Sequence, residues 1–261
     1  MNVEKDDGRI LRLDNGKVRW LIFSNQRRMN SISGEMADEL YRELRIAEED
    51  KNIKIILLRG DGTNYSSGAD LSKFEVGNVE MAKKFRNSMN KVVLKMNSIK
   101  KPVIAVLHGY AMGGGLEIAE SADIRISGSG AKIGQPEIKI GINAGAGGNV
   151  VLPKLIGRGK ALYMMLTGEI ISADTALRWG LIDMIFNDDI LFEKSLEIAE
   201  KISGMPEETV SICKKNVYSS ENLGINDALQ LESDGFVELF KSKETMERIS
   251  RFLKRNENSK N

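Results

Sequence analysis

Val103-Ile104-Ala105-Val106-Leu107-His108-Gly109-Tyr110-Ala111-Met112-Gly113-Gly114-Gly115-Leu116-Glu117-Ile118-Ala119 is the stretch that decides the fold class. Val103–Leu107 is a short, continuous apolar run of the kind found in strands buried on both faces. It ends in His108-Gly109 and a glycine cluster, after which Leu116-Glu117-Ile118-Ala119 opens a helix. Strand, glycines and helix in that order predict a βα unit of a mostly parallel sheet.

The same alternation extends outward. Towards the N-terminus, Ile10–Leu13, Asn15-Gly16 and Val18–Phe23 give a two-residue hairpin signal. Met36, Leu40, Leu44 and Ala47 share one helical face, with Ser33 placed to cap it. Ile53–Leu58 reads as a second doubly buried strand. The helical stripe Met81, Phe85, Met89, Val92 and Met96 reads as core packing. Towards the C-terminus, Ile124–Ser127 and Ala131–Ile133 are strand-like. From about Arg158 the spacing is helical, and only Ile182–Phe186 interrupts it as strand. With no Pro- or Ser-rich linker, the reading is one αβ core with a helical C-terminal extension, divided at 1–198 and 199–261. Asn256–Asn261 are polar and expected to fray.

Composition narrows the function classes. Lys and Arg total 38 against 37 Asp and Glu, a formal charge of +1. That balance argues against a nucleic-acid partner, which calls for a concentrated basic field, although a few local cations would serve one phosphate-bearing ligand. The basic residues Lys83, Lys84, Arg86, Lys91 and Lys95 read as a solvated helix face. The single cysteine, Cys213, excludes an intrachain disulfide and reads as core filler. The first residues lack the basic-then-apolar run of a signal peptide, and no apolar stretch approaches the roughly 20 residues that span a bilayer. A cytoplasmic protein without membrane association is the expectation.

Three glycine-rich sites mark where chemistry could sit: Ser66-Ser67-Gly68-Ala69-Asp70, Gly113-Gly114-Gly115 and Gly145-Ala146-Gly147-Gly148. The last fails as a dinucleotide fingerprint, because Val150 stands where the third glycine belongs and no opening βαβ unit surrounds it. The second combines backbone that a ligand can approach closely with the free N–H groups of a helix start, a place for developing negative charge. Glu117 lies one turn further on; taken alone it is compatible with a surface residue favoured by the helix dipole. Glu137, 20 residues later after Ala131–Ile133, supplies a second carboxylate, and the pair suits acid/base chemistry beside a carbonyl. His108, the only histidine, is read as structural. One His and one Cys assemble no metal site.

The run His108–Ala119 resembles the signature of the enoyl-CoA hydratase/isomerase (crotonase) superfamily. So do Ser67-Gly68-Ala69-Asp70-Leu71, Gly134-Gln135-Pro136-Glu137-Ile138, Gly141–Gly148 and Leu166-Thr167-Gly168. The ordered set covers about Gly8 to Arg255. The resemblance implies a crotonase (ClpP-like) fold: stacked parallel β-sheets in repeated ββα units, with a C-terminal helical region for trimerisation and active-site cover. It implies an oxyanion hole from the N–H groups of Ala69 and Gly114, with Glu117 activating water and Glu137 delivering a proton. Gly145 matches a position that helps to place the water. Arg27, Arg28, Met29, Asp70 and Leu71 match positions along the coenzyme A. The implied activity is hydration of a 2-enoyl-CoA, with no cofactor beyond the CoA of the substrate and a homotrimer or dimer of trimers as the assembly.

Two rivals follow from the same resemblance. A Δ3,Δ2-enoyl-CoA isomerase generally lacks a carboxylate at the Glu117 position, so retention of both glutamates favours hydratase. An RNA-binding role would rest on the basic helix near 78–97. The sequence departs from the usual pattern at Ala144, at Asn149-Val150-Val151 and at Arg248, which bears on substrate preference and tail packing.

Overall fold

A computed structural model of the chain describes residues 8–258; Met1–Asp7, where a targeting segment was sought, and Ser259–Asn261 lie outside the described residues. β1 (Arg9–Asn15) and β2 (Val18–Ser24) form the expected antiparallel hairpin, with Asn15 opposite Val18. Gly16 carries φ 58°, the left-handed backbone this turn requires. Ser33 caps α1 (Gly34–Glu49) by accepting from the Met36 N–H at 3.2 Å, and Met36, Leu40, Leu44 and Ala47 form its buried face. Then come β3 (Ile55–Gly60), α2 (Val79–Ser98), β4 (Val103–Leu107), β5 (Tyr110–Met112), α3 (Gly113–Glu120), β6 (Ile124–Gly128) and β7 (Lys132–Gly134). The chain continues through α4 (Gly148–Ile156), α5 (Arg158–Thr167), β8 (Ile170–Ser172), α6 (Ala173–Trp179), β9 (Met184–Phe186) and α7 (Leu191–Ser203). It closes with α8 (Glu207–Ser220), α9 (Ile225–Leu239) and α10 (Lys243–Asn258).

Six strands make one sheet in the order β1-β2-β3-β4-β6-β9, parallel from β2 onward. A second sheet has the order β5-β7-β8, with β5 and β7 parallel and β8 antiparallel. The sheets are therefore largely parallel, with an antiparallel pair at one edge of each. Because successive side chains point to opposite faces of a strand, the apolar runs fill two cores. Leu21, Phe23, Leu58, Ala105 and Leu107 face α1 and α2, whereas Trp20, Ile22, Leu57, Ile104 and Val106 pack with Leu191 and Ala199 of α7.

The structure corrects four readings. β8 is a strand inside the region read as helical but for Ile182–Phe186; its three residues are too few for an alternation to register. β5 and α4 are likewise absent from the sequence reading, because their glycine-rich surroundings read only as loops. Cys213 is exposed on α8 rather than core. Asn256–Asn258 continue α10 instead of fraying. Among the described residues, no helix is long and apolar enough to cross a membrane.

Candidate active site

The loop Ser66–Asp70 is strung between two elements. The Ile32 N–H donates to the Gly68 carbonyl and the Asp70 N–H to the Ile32 carbonyl, each near 2.8–2.9 Å. In extended backbone the intervening N–H of Ala69 must point the other way. On the opposite side, Ser66 bridges Ala111 of β5, accepting from the Met112 N–H and donating to the Tyr110 carbonyl. This seats the loop against the start of α3 so closely that a Cβ on Gly115 would lie 2.4 Å from Ser66 Cβ.

Gly114 sits in the first turn of α3, where backbone N–H groups have no intrahelical acceptor. Among the described residues neither its N–H nor that of Ala69 is engaged in another hydrogen bond. A Cβ on Gly114 would stand 3.6 Å from Ala69 N, and one on Gly68 3.6 Å from Gly114 N. The two donors thus border the same space, which belongs to a cavity of about 690 Å³ also walled by Glu117, Glu137, Gly145, Phe85 and Met89. Two fixed amide donors converging on one space could together bind an oxyanion.

Glu117 is not the surface residue its position in the helix would allow: it is 3% exposed. Its Oε1 accepts from the N–H groups of Ala146 at 2.7 Å and Gly148 at 2.9 Å. The third glycine cluster, opening α4 with Gly147 at φ 115°, therefore cradles this carboxylate. Burial raises its pKa, while the amides of Gly148, Ala146 and Gly145 work against that rise. Glu137 begins a single 3-10 turn, Glu137–Ile140, after β7. Burial pushes its pKa up to about 7, with the Glu117 charge adding to the rise and its own backbone N–H opposing it. A Cβ on Gly113 would lie 3.0 Å from Glu137 Oε1, and one on Gly114 3.9 Å from Glu117 Oε2. The two carboxyls thus face consecutive glycines, the second of which carries one of the two free amides.

Of the expected CoA-contacting residues, Leu71 lines the cavity, while Arg27, Arg28, Met29 and Asp70 belong to the neighbouring loops. The Asp70 carboxylate is turned inward, accepting from Arg28 Nη1 at 3.1 Å and Ser72 Oγ at 2.6 Å. Arg28 thus spends its charge on a loop contact. Met29 and Asn30 both adopt left-handed backbone, which fixes this corner. Ala144 is buried, and the Asn149 side chain donates to its carbonyl at 2.8 Å, closing the third glycine loop. Arg248 pairs with Glu244 and donates to the Gly204 carbonyl. His108 is buried away from the cavity, accepting from the Gly60 N–H at 3.3 Å and stacked edge-on to Phe192.

The sequence reading missed Glu120. It is 2% exposed and follows Glu117 by three residues, a spacing that places both on one helix face and could have revealed it. It also missed Met89 as a wall of the cavity, where its Cε lies 3.2 Å from a Cβ built on Gly114.

A mostly parallel αβ fold brings two free amide donors and two carboxyls into one cavity, an arrangement able to bind a carbonyl oxygen beside acid/base groups. The enoyl-CoA hydratase/isomerase family model matches residues 15–260, and the chain belongs to that family. It is 33% identical to a short-chain-enoyl-CoA hydratase of Clostridium acetobutylicum, over 92% of each chain. It is 30% identical to a crotonyl-CoA hydratase of Syntrophomonas wolfei, again over 92% of each. The crystal structure of an enoyl-CoA hydratase from Thermoplasma volcanium superposes with a TM-score of 0.86 at 39% identity, covering 93% of this chain and 96% of that one.

Proposed function

We propose that this chain is an enoyl-CoA hydratase, reversibly adding water to a 2-enoyl-CoA to give a 3-hydroxyacyl-CoA. The carrying observation is the buried Glu117 carboxylate, held by two backbone amides in the same cavity as Glu137 and the oxyanion donors. The thioester oxygen accepts from the N–H groups of Ala69 and Gly114, which draws electron density from Cβ. Glu117 takes a proton from the attacking water as the C–O bond forms, with Gly145 helping to place that water. Charge collects on the thioester oxygen as an enolate, and Glu137 then protonates Cα. A carboxyl with a pKa of about 7 suits this role, because an acid near the working pH is both populated and able to donate. Arg27, Arg28, Met29, Asp70 and Leu71 are proposed to border the CoA. The reaction is redox-neutral and needs no cofactor beyond the substrate's own CoA.

The isomerase reading needs only the carboxyl at Glu137 and leaves the Glu117 cradle unexplained. Loss of crotonyl-CoA absorbance on adding purified protein tests hydration; unchanged absorbance together with turnover of a 3-enoyl-CoA would establish the isomerase instead. The RNA reading is weakened by the pairing of α2 cations with acids: Lys83 with Glu80, Lys91 with Asp38 and Lys95 with Glu48. A homotrimer or dimer of trimers is proposed from the exposed apolar side chains of α8–α10, including Phe236, Phe240 and Phe252. A cytoplasmic location remains the expectation.

A further inference from the structure

Glu120 is a third carboxyl in the active-site region, and the mechanism above does not use it. One of its oxygens, Oε1, accepts from Gln135 Nε2 at 2.9 Å. The other, Oε2, is buried without a partner, and so is Gln135 Oε1. Two carboxylate and carbonyl oxygens cannot bond each other, since both only accept. A carboxylic acid and a primary amide, however, pair through two hydrogen bonds: amide N–H to acid carbonyl, and acid O–H to amide carbonyl. The first is present, and the two orphaned oxygens are the partners the second needs.

We propose that Glu120 is held as the neutral acid, closes an acid–amide ring with Gln135, and thereby positions Glu137, two residues beyond Gln135. A proton on Oε2 satisfies both buried orphans at once, whereas an ionised Glu120 would leave both unpaired and bury a further charge beside that of Glu117. The surroundings agree. The charged groups facing it are Glu117 on its own helix, Glu137 beyond the Gln135-Pro136 segment, and Arg125 at the head of β6. Arg125 makes no bond to the Glu120 carboxyl: it donates to the backbone carbonyls of Ala122 at 2.6 Å and Glu120 at 3.4 Å and pairs with Asp183 at 3.1 Å. Burial pushes the Glu120 pKa up to about 8, with Glu117 and Glu137 adding to it and Gln135 opposing. Glu120 is thus a positioning residue, acting through Gln135 on the acid of the proposed hydration.

The functional half rests on the hydratase reading; the proton itself does not, so the two are tested separately. In a Glu137→Gln background, which silences that carboxyl, the infrared spectrum at pH 7 should show a protonated-carboxyl stretch that Glu120→Gln removes. An unchanged spectrum overturns the neutral acid whatever the enzyme catalyses. For turnover, Glu120→Leu should lower kcat by about tenfold or more with KM within about twofold, and Glu120→Gln, which can rebuild the ring as an amide pair, should recover most of the loss. The linkage has a definite sign: an acid with a raised folded pKa stabilises fully below its unfolded value and loses that contribution as pH rises. Melting temperature of the wild type relative to Glu120→Gln should therefore fall between about pH 4.5 and about pH 8. The Gln variant should keep the fall assigned to Glu137 near pH 7 and lose only the further decline in kcat that the wild type adds near pH 8. A Gln variant as impaired as the Leu variant, or parallel pH curves for wild type and Glu120→Gln, would overturn the positioning role, and the infrared and melting readouts remain available if Glu120→Leu does not fold.

Discussion

The segment 103–148 and the helices α8–α10 solve the burial problem in opposite ways. Every residue of β4 and α3 is buried, including the carboxyls of Glu117 and Glu120. Neither α8 nor α9 buries a single residue fully, and Phe236 of α9 is 63% exposed although it stacks on Phe240. The first region is dense enough to desolvate charge, which shifts carboxyl pKa values and makes acid/base chemistry available near neutrality. The second leaves apolar surface, and the proposed assembly would cover it. The buried carboxyls lie where the chain completes its own packing, and the surface proposed for association lies where it does not.

The largest effect should come from removing the proposed proton donor, Glu137. Glu137→Gln is expected to lower turnover by about a hundredfold or more while leaving CoA-ester binding largely intact, as single-turnover and binding measurements would show. An unchanged rate removes Glu137 from the mechanism. The density itself can be broken next. In Gly115→Ala the new Cβ meets Ser66 2.4 Å away, which forces backbone movement; a loss of about 1–3 kcal/mol in denaturant unfolding is expected. Retained stability would mean that the loop 66–70 yields easily.

Titration offers a subtler probe. If Glu137 acts as the acid in hydration, kcat/KM in that direction should fall as pH rises through about 7, where its proton is lost. The Glu137→Gln enzyme should lack that limb, although in so close a pair the apparent value belongs to both carboxyls. On the sparse side, Phe236→Asp should shift the assembly towards a 29.0 kDa monomer in light scattering, with the smallest change in the melting of the αβ core. A wild-type protein already monomeric would remove the proposed assembly.

Much of the fold was legible in the sequence because its signals are local. The Asn15-Gly16 turn, the Ser33 cap and the apolar runs of β3 and β4 each report a backbone preference without help from distant residues. The site was legible as residue types: three glycine clusters and two glutamates. What could not be read was where the clusters point. Gly145–Gly148 donates its amides to Glu117 across 29 to 31 residues of chain, and the Asp70 carboxylate turns inward to Arg28.

By itself, then, the sequence determined an alternating αβ core, a helical C-terminal part, and glycine-lined backbone beside Glu117 and Glu137. Those follow from periodicity, turn chemistry and the small size of glycine. Only the tertiary structure decided which carboxyls are desolvated, which amides remain free to meet an oxyanion, and that Glu120 stands behind the pair. Burial and hydrogen-bond direction are properties of residues far apart in sequence but close in space, and packing alone brings them together.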